Sequence, residues 1–339
     1  MRVMVTIQHP AHVHFFRHAI AELEDEGHEV HVFARDKEMA LDLLDRFDIE
    51  HEVLAGTGSG LSQLARVQAV YEARLLKRAR DIEPDVITAI GGVAAAHVSR
   101  LVGAKSLVFY DTEHATIIKG LAYPFAHRIA TPDCYRDTIG PHQRRYPSYH
   151  ELAYLHPDRF EVDESKVPEV AETDDKLVVL RLIEWGASHD VGKGGFDDVE
   201  EVVSRLEATG AEVVITAEGD FPDSLAAKQI SVAPHEIHHL LGAADLFIGE
   251  GATMAAESAV LGTPAVYVNS LTMGYTDELD EEYGLLFNCN GENRHEKALE
   301  TAVSLLEGDT DWAAKRETLL ADKVDTTDVI REQLREVTA

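Results

Sequence analysis

The N-terminal half of the chain alternates short β-branched runs with longer segments of helical period. Val3–Ile7 reads as a strand. A helix is predicted over Val13–Glu26, with Phe15, Phe16, Ala19, Ile20 and Leu23 on one side and Gly27 as its stop. Glu29–Phe33 is the next strand, followed by a helix over Lys37–Phe47. After Gly56-Thr57-Gly58-Ser59-Gly60 comes a long helix over Leu61–Ile82. Pro84 introduces the strand Asp85–Ile90; a small-residue helix over Val93–Val102 and the strand Ser106–Tyr110 follow. Strands and helices alternating at this spacing predict βαβ units and a parallel sheet.

Glu161–Asp175 is acidic, contains Pro168 and lacks periodicity, so it reads as a linker. A second series then begins. Strands are predicted at Lys176–Leu182, Glu212–Thr216, Leu246–Ile248 and Ala265–Val268. Helices are predicted over Asp197–Thr209, Pro234–Gly242, Thr253–Leu261 and near the C-terminus. The expected organisation is an α/β protein of two Rossmann-like domains, 1–160 and 176–339, joined by an acidic linker at 161–175. No repeat of 20–50 residues is present in the sequence, so a solenoid is not expected.

Composition changes this picture in two ways. Acidic residues number 61 against 31 basic, for a formal net charge of −30. That excludes a nucleic-acid binder that needs a basic surface. Of the basic residues 20 are Arg and only 11 Lys, and Phe is scarce at 11. This composition fits adaptation to high salt, where the Debye length is ~3 Å and carboxylate repulsion costs little; an ordinary acidic cytosolic protein is the competing reading. Two cysteines, Cys134 and Cys289, fit a reducing interior. The first apolar run is too short for a signal peptide and no run reaches the ~20 residues of a membrane span. A cytoplasmic protein is the expectation.

In open α/β sheets ligands bind beyond the carboxyl ends of strands, often on helix N-termini. The clearest such place is Phe247-Ile248-Gly249-Glu250-Gly251-Ala252-Thr253, continuing to Glu257. A strand ends, a Gly-x-Gly turn follows and a helix opens. Gly249 and Gly251 let backbone approach an anion, Ala252 and Thr253 offer first-turn amides, and Thr253 adds a hydroxyl. Glu257, one turn on, is placed to accept both hydroxyls of a ribose. The competing reading is an ordinary tight turn with a solvated Glu.

Other strand ends carry titratable groups. Gln8-His9-Pro10-Ala11-His12-Val13-His14 follows the first strand. His12 is a candidate general base, a helix cap or, with His14, a metal ligand without an obvious third partner. Asp111-Thr112-Glu113-His114 follows Ser106–Tyr110, and Asp111 or Glu113 is a candidate base or a helix cap. Arg181 opens Arg181-Leu182-Ile183-Glu184-Trp185 and is placed to neutralise phosphate or to pair with Glu184. Val191-Gly192-Lys193-Gly194-Gly195 lacks P-loop spacing and reads as a loop. His235-Glu236-Ile237-His238-His239 fits a zinc-protease expression only formally. The helix Leu61–Ile82 carries Arg66, Arg74, Lys77, Arg78 and Arg80 against Glu72 and Asp81. It is either a normal amphipathic helix or a surface for an anionic lipid carrier.

The stretch from His239-Leu240-Leu241-Gly242-Ala243-Ala244-Asp245-Leu246 through Glu257 to Gly262-Thr263-Pro264 resembles the nucleotide-sugar segment of GT-B glycosyltransferases. It is most similar to the lipid-II-forming N-acetylglucosaminyltransferase and the non-hydrolysing UDP-N-acetylglucosamine 2-epimerases. The complete chain, with Asp111-Thr112-Glu113-His114 and Arg181-Leu182-Ile183-Glu184-Trp185, resembles the archaeal family "domain of unknown function 354", grouped with predicted glycosyltransferases. The resemblance implies a GT-B fold, with two parallel sheets facing an interdomain cleft. It also implies that Gly251, Ala252 and Thr253 hold pyrophosphate and Glu257 the ribose. It further implies a nucleotide-sugar partner, UDP-linked, with no other cofactor and no metal. The acceptor would be a glycan or lipid-linked molecule, with at most peripheral membrane contact. Glu113 approximately matches the Glu of the epimerases' His-x-Glu-Ala-Gly, but the Gly is missing. Gly91-Gly92 stands where an epimerase has another acid, which argues for transfer over epimerisation. A non-catalytic sugar-nucleotide binder is the third reading.

The acidic composition generates a measurable expectation. Raising KCl from dilute buffer to molar levels should raise the melting temperature in a thermal scan, by screening repulsion among 61 carboxylates. Equal stability in both media would remove the halophilic reading.

Overall fold

The computed structural model describes residues 1–37, 39–58, 61–171, 173, 175–182, 198–217 and 222–339. The chain divides into two compact units, Met1–Arg159 with Lys323–Ala339, and Phe160–Asp322.

Unit 1 is built on seven strands: β1 (Arg2–Ile7), β2 (Glu29–Arg35), β3 (His51–Ala55), β4 (Val86–Ile90), β5 (Lys105–Phe109), β6 (Arg128–Pro132) and β7 (Gln143–Tyr146). Their order is β3-β2-β1-β4-β5-β6-β7, and every pair is parallel. Helices cover both faces, so central strands read as mostly apolar runs, with Thr6 in β1 and Thr88 in β4 as buried exceptions. Val3, Met4, Val5 and Ile7 of β1 are all buried, as are Val86, Ile87 and Ala89 of β4. The order reverses between β1 and β4, and the crevice that binds ligands in such sheets opens at that reversal.

Unit 2 holds β8 (Leu177–Leu182), β9 (Glu212–Ala217), β10 (Leu246–Gly249), β11 (Ala265–Val268) and β12 (Leu286–Cys289). The order is β12-β11-β10-β8-β9, again all parallel. Its core packs Val178, Leu180, Ile215, Ile248 and Val266 against the helices Val199–Glu207 and Arg294–Glu307. Here the reversal falls between β8 and β10.

The α/β class with two parallel sheets agrees with the sequence expectation. Strands β3, β6, β7 and β12 were not predicted; they are short and carry little apolar periodicity. The first helix starts at Pro10, three residues early. Pro10 occupies the first turn, and the His9 side chain caps it by accepting the Ala11 amide at 3.2 Å. No described helix is long and apolar enough to cross a membrane.

Two parts of the expected domain division are corrected. Residues 161–175 are not a free linker: Asp163 N donates to His239 Nδ1 at 3.0 Å, and a Cβ on Gly242 would sit 2.5 Å from Val162. Val162 and Asp163 are thus packed within unit 2. The C-terminal helix Thr326–Thr338 belongs to unit 1 and not to a 176–339 domain. Its Val329, Ile330, Leu334 and Val337 are buried. Thr326 and Thr327 hydroxyls donate to the Tyr149 and Ala153 carbonyls at 2.6 and 2.8 Å. Arg331 reaches Glu22 at 2.6 Å, and Arg335 reaches Glu26 at 2.8 Å. Hydrogen bonds from Arg335 and Arg331 hold the Glu26 carboxyl down at about 2. Because the folded value lies below the ordinary one, this contribution is full above about pH 4.5 and is lost as pH falls toward 2.

Ile330, fully buried, tests this reassignment. Ile330→Ala should cost about 2–5 kcal/mol. Hydrogen exchange should then show lost protection in Pro10–Asp25 and not in β8–β12. Loosening of unit 2 instead would return the C-terminal helix to it.

Candidate functional site

In unit 2 the parallel register puts Arg181 of β8 beside Gly249 of β10 on one side and Thr216 of β9 on the other. These are the carboxyl ends of three adjacent strands at the reversal in strand order. Gly249 is required by packing: a Cβ there would lie 2.6 Å from the Phe247 ring and 3.1 Å from Arg181 Cβ. The helix Ala252–Leu261 starts next, with Gly251 as its N-cap in extended conformation and no side-chain cap. Its first intrahelical bond runs from the Ala255 amide to the Gly251 carbonyl. The Ala252, Thr253 and Met254 amides therefore precede the helical ladder and point out of its positive end. Thr253 is exposed, and Arg181, Gly251 and Ala252 are partly buried. Arg181 is thus the register partner of Gly249, and Gly251, Ala252 and Thr253 follow Gly249 within four residues at the helix start.

Glu257 differs from the expected rim carboxylate. It is only 5% exposed, and its Oε1 lies 3.0 Å from Nε2 of His238 on the helix Ile237–Ala243. The Phe160 ring stands edge-on to His238 at 6.0 Å. Burying a carboxylate demands such a partner, and His238 fixes which way the carboxylate faces. His239 accepts the Asp163 amide. The His-Glu-Ile-His-His cluster is therefore divided between Glu257 and the 161–175 segment. Among the described residues no group of three or more His, Cys, Asp or Glu could hold a metal. Ile183 through Gly195, including Glu184 and the glycine-rich Val191–Gly195, lies outside the described residues.

In unit 1 the end of β5 delivers Asp111 to a partner the sequence did not reveal. Asp111 Oδ2 lies 2.9 Å from His150 Nδ1, and its other oxygen accepts the Thr112 hydroxyl at 2.8 Å. Burial would raise the Asp111 carboxyl. His150, Thr112 and local backbone outweigh that and hold it below the usual range. Since Asp111 accepts from Nδ1, neutral His150 keeps a lone pair on Nε2. That nitrogen is buried without a hydrogen-bond partner, under the Phe15 ring at 4.6 Å.

His12 is not the base the sequence nominates. Its Nδ1 accepts the Gln8 amide at 3.3 Å, which leaves the ring proton on Nε2. Burial, with His9 and His150 nearby, pushes its pKa down to about 3. His12 is thus a neutral donor at all ordinary pH values. The metal reading fails locally too. His12 and His14 lie two apart on a helix, where side chains diverge, and His14 is buried beside Tyr154 and Phe47 at 5.2 and 5.7 Å. Glu113 Oε1 accepts the Arg136 amide at 3.0 Å, its carbonyl accepts from Lys119, and its Oε2 is buried. Gly91 and Gly92 both have positive φ, and a Cβ on Gly92 would lie 2.5 Å from Val108. An acid is sterically barred from position 92.

The sequence missed His150 because it stands in an aromatic, aperiodic stretch 39 residues from Asp111. It missed Thr216 as well, whose hydroxyl is buried without a partner beside Arg181. The signal for Thr216 was available: a polar residue closing an otherwise apolar strand.

Comparison with known proteins places this geometry. An uncharacterised protein of Methanocaldococcus jannaschii, MJ0665, is 21% identical over 276 residues, covering 78% of this chain and 80% of that one. The UDP-GlcNAc 2-epimerase of the same organism superposes with a TM-score of 0.70 at 13% identity, covering 100% of this chain and 99% of that one. The Neisseria meningitidis UDP-GlcNAc 2-epimerase bound to UDP-GlcNAc gives 0.70 and 13%, covering 99% and 100%. The spinosyn rhamnosyltransferase SpnG, complexed with thymidine diphosphate, gives 0.66 and 15%, covering 98% and 100%. These likenesses establish the two-sheet fold shared by GT-B glycosyltransferases and these epimerases. The family described as "Protein of unknown function (DUF354)" matches residues 1–338, and the chain belongs to that family.

Proposed function

We propose that this protein is a glycosyltransferase that takes a nucleotide-linked sugar, UDP-linked, and transfers the sugar to a hydroxyl acceptor that is a glycan or lipid-linked. The observation that carries this reading is the uncapped start of Ala252–Leu261 at the strand reversal, with Arg181 in register beside it. First-turn amides and a guanidinium are what a diphosphate requires. Glu257, held by His238, takes the ribose hydroxyls.

Transfer needs the acceptor proton removed as the sugar–oxygen bond to the diphosphate breaks. His150 Nε2 takes that proton, and Asp111 stabilises the imidazolium that forms. His12, with its proton on Nε2, donates to the acceptor oxygen and sets its orientation. The electron pair leaves on the diphosphate, where the helix dipole and Arg181 stabilise the charge. In this reading the leaving group needs no divalent metal.

Calorimetry and turnover test the proposal together. Glu257→Ala should weaken UDP and its sugar conjugate equally, about 10- to 150-fold, since ribose is common to both. Asp111→Asn should leave that affinity intact and lower turnover about 10²- to 10⁴-fold. Neither Asp111 nor His12 titrates between pH 5 and 8. His12→Gln should therefore lower the rate without changing the shape of the pH–rate profile. Donor consumption that requires an acceptor supports transfer. Deuterium entering carbon 2 of the sugar without acceptor would replace transfer by epimerisation. Nucleotide binding unaffected by Glu257→Ala would overturn the donor site.

A further inference from the structure

The helix Leu61–Ile82 is an ordinary amphipathic one: Tyr71, Leu75 and Ala79 are buried, Arg74 donates to the Leu54 carbonyl at 2.6 Å, and Arg78 pairs with Glu52 at 2.8 Å. The Tyr71 hydroxyl is satisfied, donating to the Phe33 carbonyl at 3.0 Å. The hydroxyl of Tyr146, the last residue of β7, is not. Tyr146 is 3% exposed, and its Oη is buried without a hydrogen-bond partner among the described residues.

Strand alternation places this hydroxyl beside the candidate base. Phe109 ends β5, and its ring meets Phe15 of the helix Pro10–Asp25 at 5.1 Å. Asp111, two residues on, returns to the same side, where it meets His150 at 2.9 Å. The Phe15 ring stands 4.6 Å from His150, and the Tyr146 ring stands edge-on to Phe109 at 6.3 Å. Tyr146, Phe109, Phe15 and His150 therefore form one connected aromatic wall beside Asp111. Two of its members carry buried polar atoms that no described residue satisfies, Tyr146 Oη and His150 Nε2. The Asp111 side chain between them is 16% exposed, so the group opens at the carboxyl end of the sheet.

An unpaired buried hydroxyl destabilises a fold, and phenylalanine would fill the same space without that cost. Burial, and after it the charge of Asp111, holds the Tyr146 phenol well above its ordinary range, so it stays protonated and able to donate. The carboxylates acting on it are Asp111, Glu151 and Asp133, and these repel a phosphate or carboxylate group. We propose that Tyr146 Oη donates to a second oxygen of the same acceptor whose hydroxyl gives its proton to His150 Nε2, so that the reacting part of the acceptor is a neutral sugar and neither a lone alcohol nor a phosphate-bearing group. The proposal rests on the transfer reading, and Tyr146 keeps its own proton throughout. A sugar offers, on neighbouring carbons, one oxygen to accept from a phenol and another O–H to donate to an imidazole.

Tyr146→Phe removes the hydroxyl alone. No bond within the protein is lost, so the melting temperature should equal or exceed that of the wild type. The ligand test is NMR titration of the UDP-bound full chain with methyl hexopyranosides of the gluco, galacto and manno series and with their monodeoxy counterparts. The wild type should bind at least one parent hexoside, and one of its deoxy counterparts should bind about 3- to 10-fold more weakly. In Tyr146→Phe that pair should bind alike, while calorimetry shows unchanged UDP affinity. A melting temperature several degrees lower in Tyr146→Phe would assign the hydroxyl to an internal bond and overturn the proposal. It fails equally if the variant keeps the wild-type discrimination, or if the wild type binds no hexoside. Loss of UDP binding in the wild type would instead sink the transfer reading, whatever the hexosides do.

Discussion

The constraint on which the site chemistry depends is the burial of parallel strands on both faces. Inside each sheet most side chains are apolar, so charged groups are concentrated where strands end. Parallel hydrogen bonding fixes the register of those ends to one another. That is why Arg181, Gly249 and Thr216, separated by up to 68 residues in sequence, stand side by side. Asp111 emerges at the end of β5 for the same reason. The reversal of strand order then leaves one gap per sheet that no crossover helix fills.

A recurring local solution handles the carboxylates nearest these gaps. Near each gap a His ring meets a carboxylate: Asp111 with His150 in unit 1, and Glu257 with His238 in unit 2. The two are not equivalent. Asp111 contacts Nδ1, which leaves Nε2 of His150 uncommitted. Glu257 contacts Nε2 of His238, the outer nitrogen of its ring. The first arrangement keeps an acceptor nitrogen in reserve; the second uses the ring to brace the carboxylate. An unsatisfied buried ring nitrogen costs about 1–3 kcal/mol, which is tolerated where a substrate hydroxyl supplies the missing bond.

Much of the architecture was legible in periodicity. The buried runs of β1, β4, β5, β8 and β10 are mostly apolar, and the Gly-x-Gly turn at 249–251 announces its own helix. What escaped was set by contacts distant in sequence. Thr326–Thr338 looks like any amphipathic terminal helix, and its fit against Pro10–Asp25, Leu152–Leu155 and β5 assigns it to unit 1. The 161–175 segment is polar and aperiodic, yet Val162 and the Asp163 amide pin it down. For the candidate site, residue types were readable but protonation roles were not. His12 as base or donor turns on a single amide, Gln8, and Glu113 as base or anchor turns on the Arg136 amide.

The net charge of −30 gives these cation positions their meaning. In a chain with about two acids for each base, most exposed cations should find a carboxylate within reach. Several do: Arg159 bridges Glu22 and Asp325, and Arg331 and Arg335 converge on Glu26. These pairs fasten the two ends of unit 1 together. Surface pairs of this kind contribute little individually and are screened by salt. Others are held, among the described residues, by carbonyls and not by carboxylates: Arg100 at Phe125, Arg74 at Leu54 and Arg35 at Gly56. Such bonds fix a guanidinium in place without cancelling its charge, so position along the backbone, and not the acidic excess alone, decides which cations are paired.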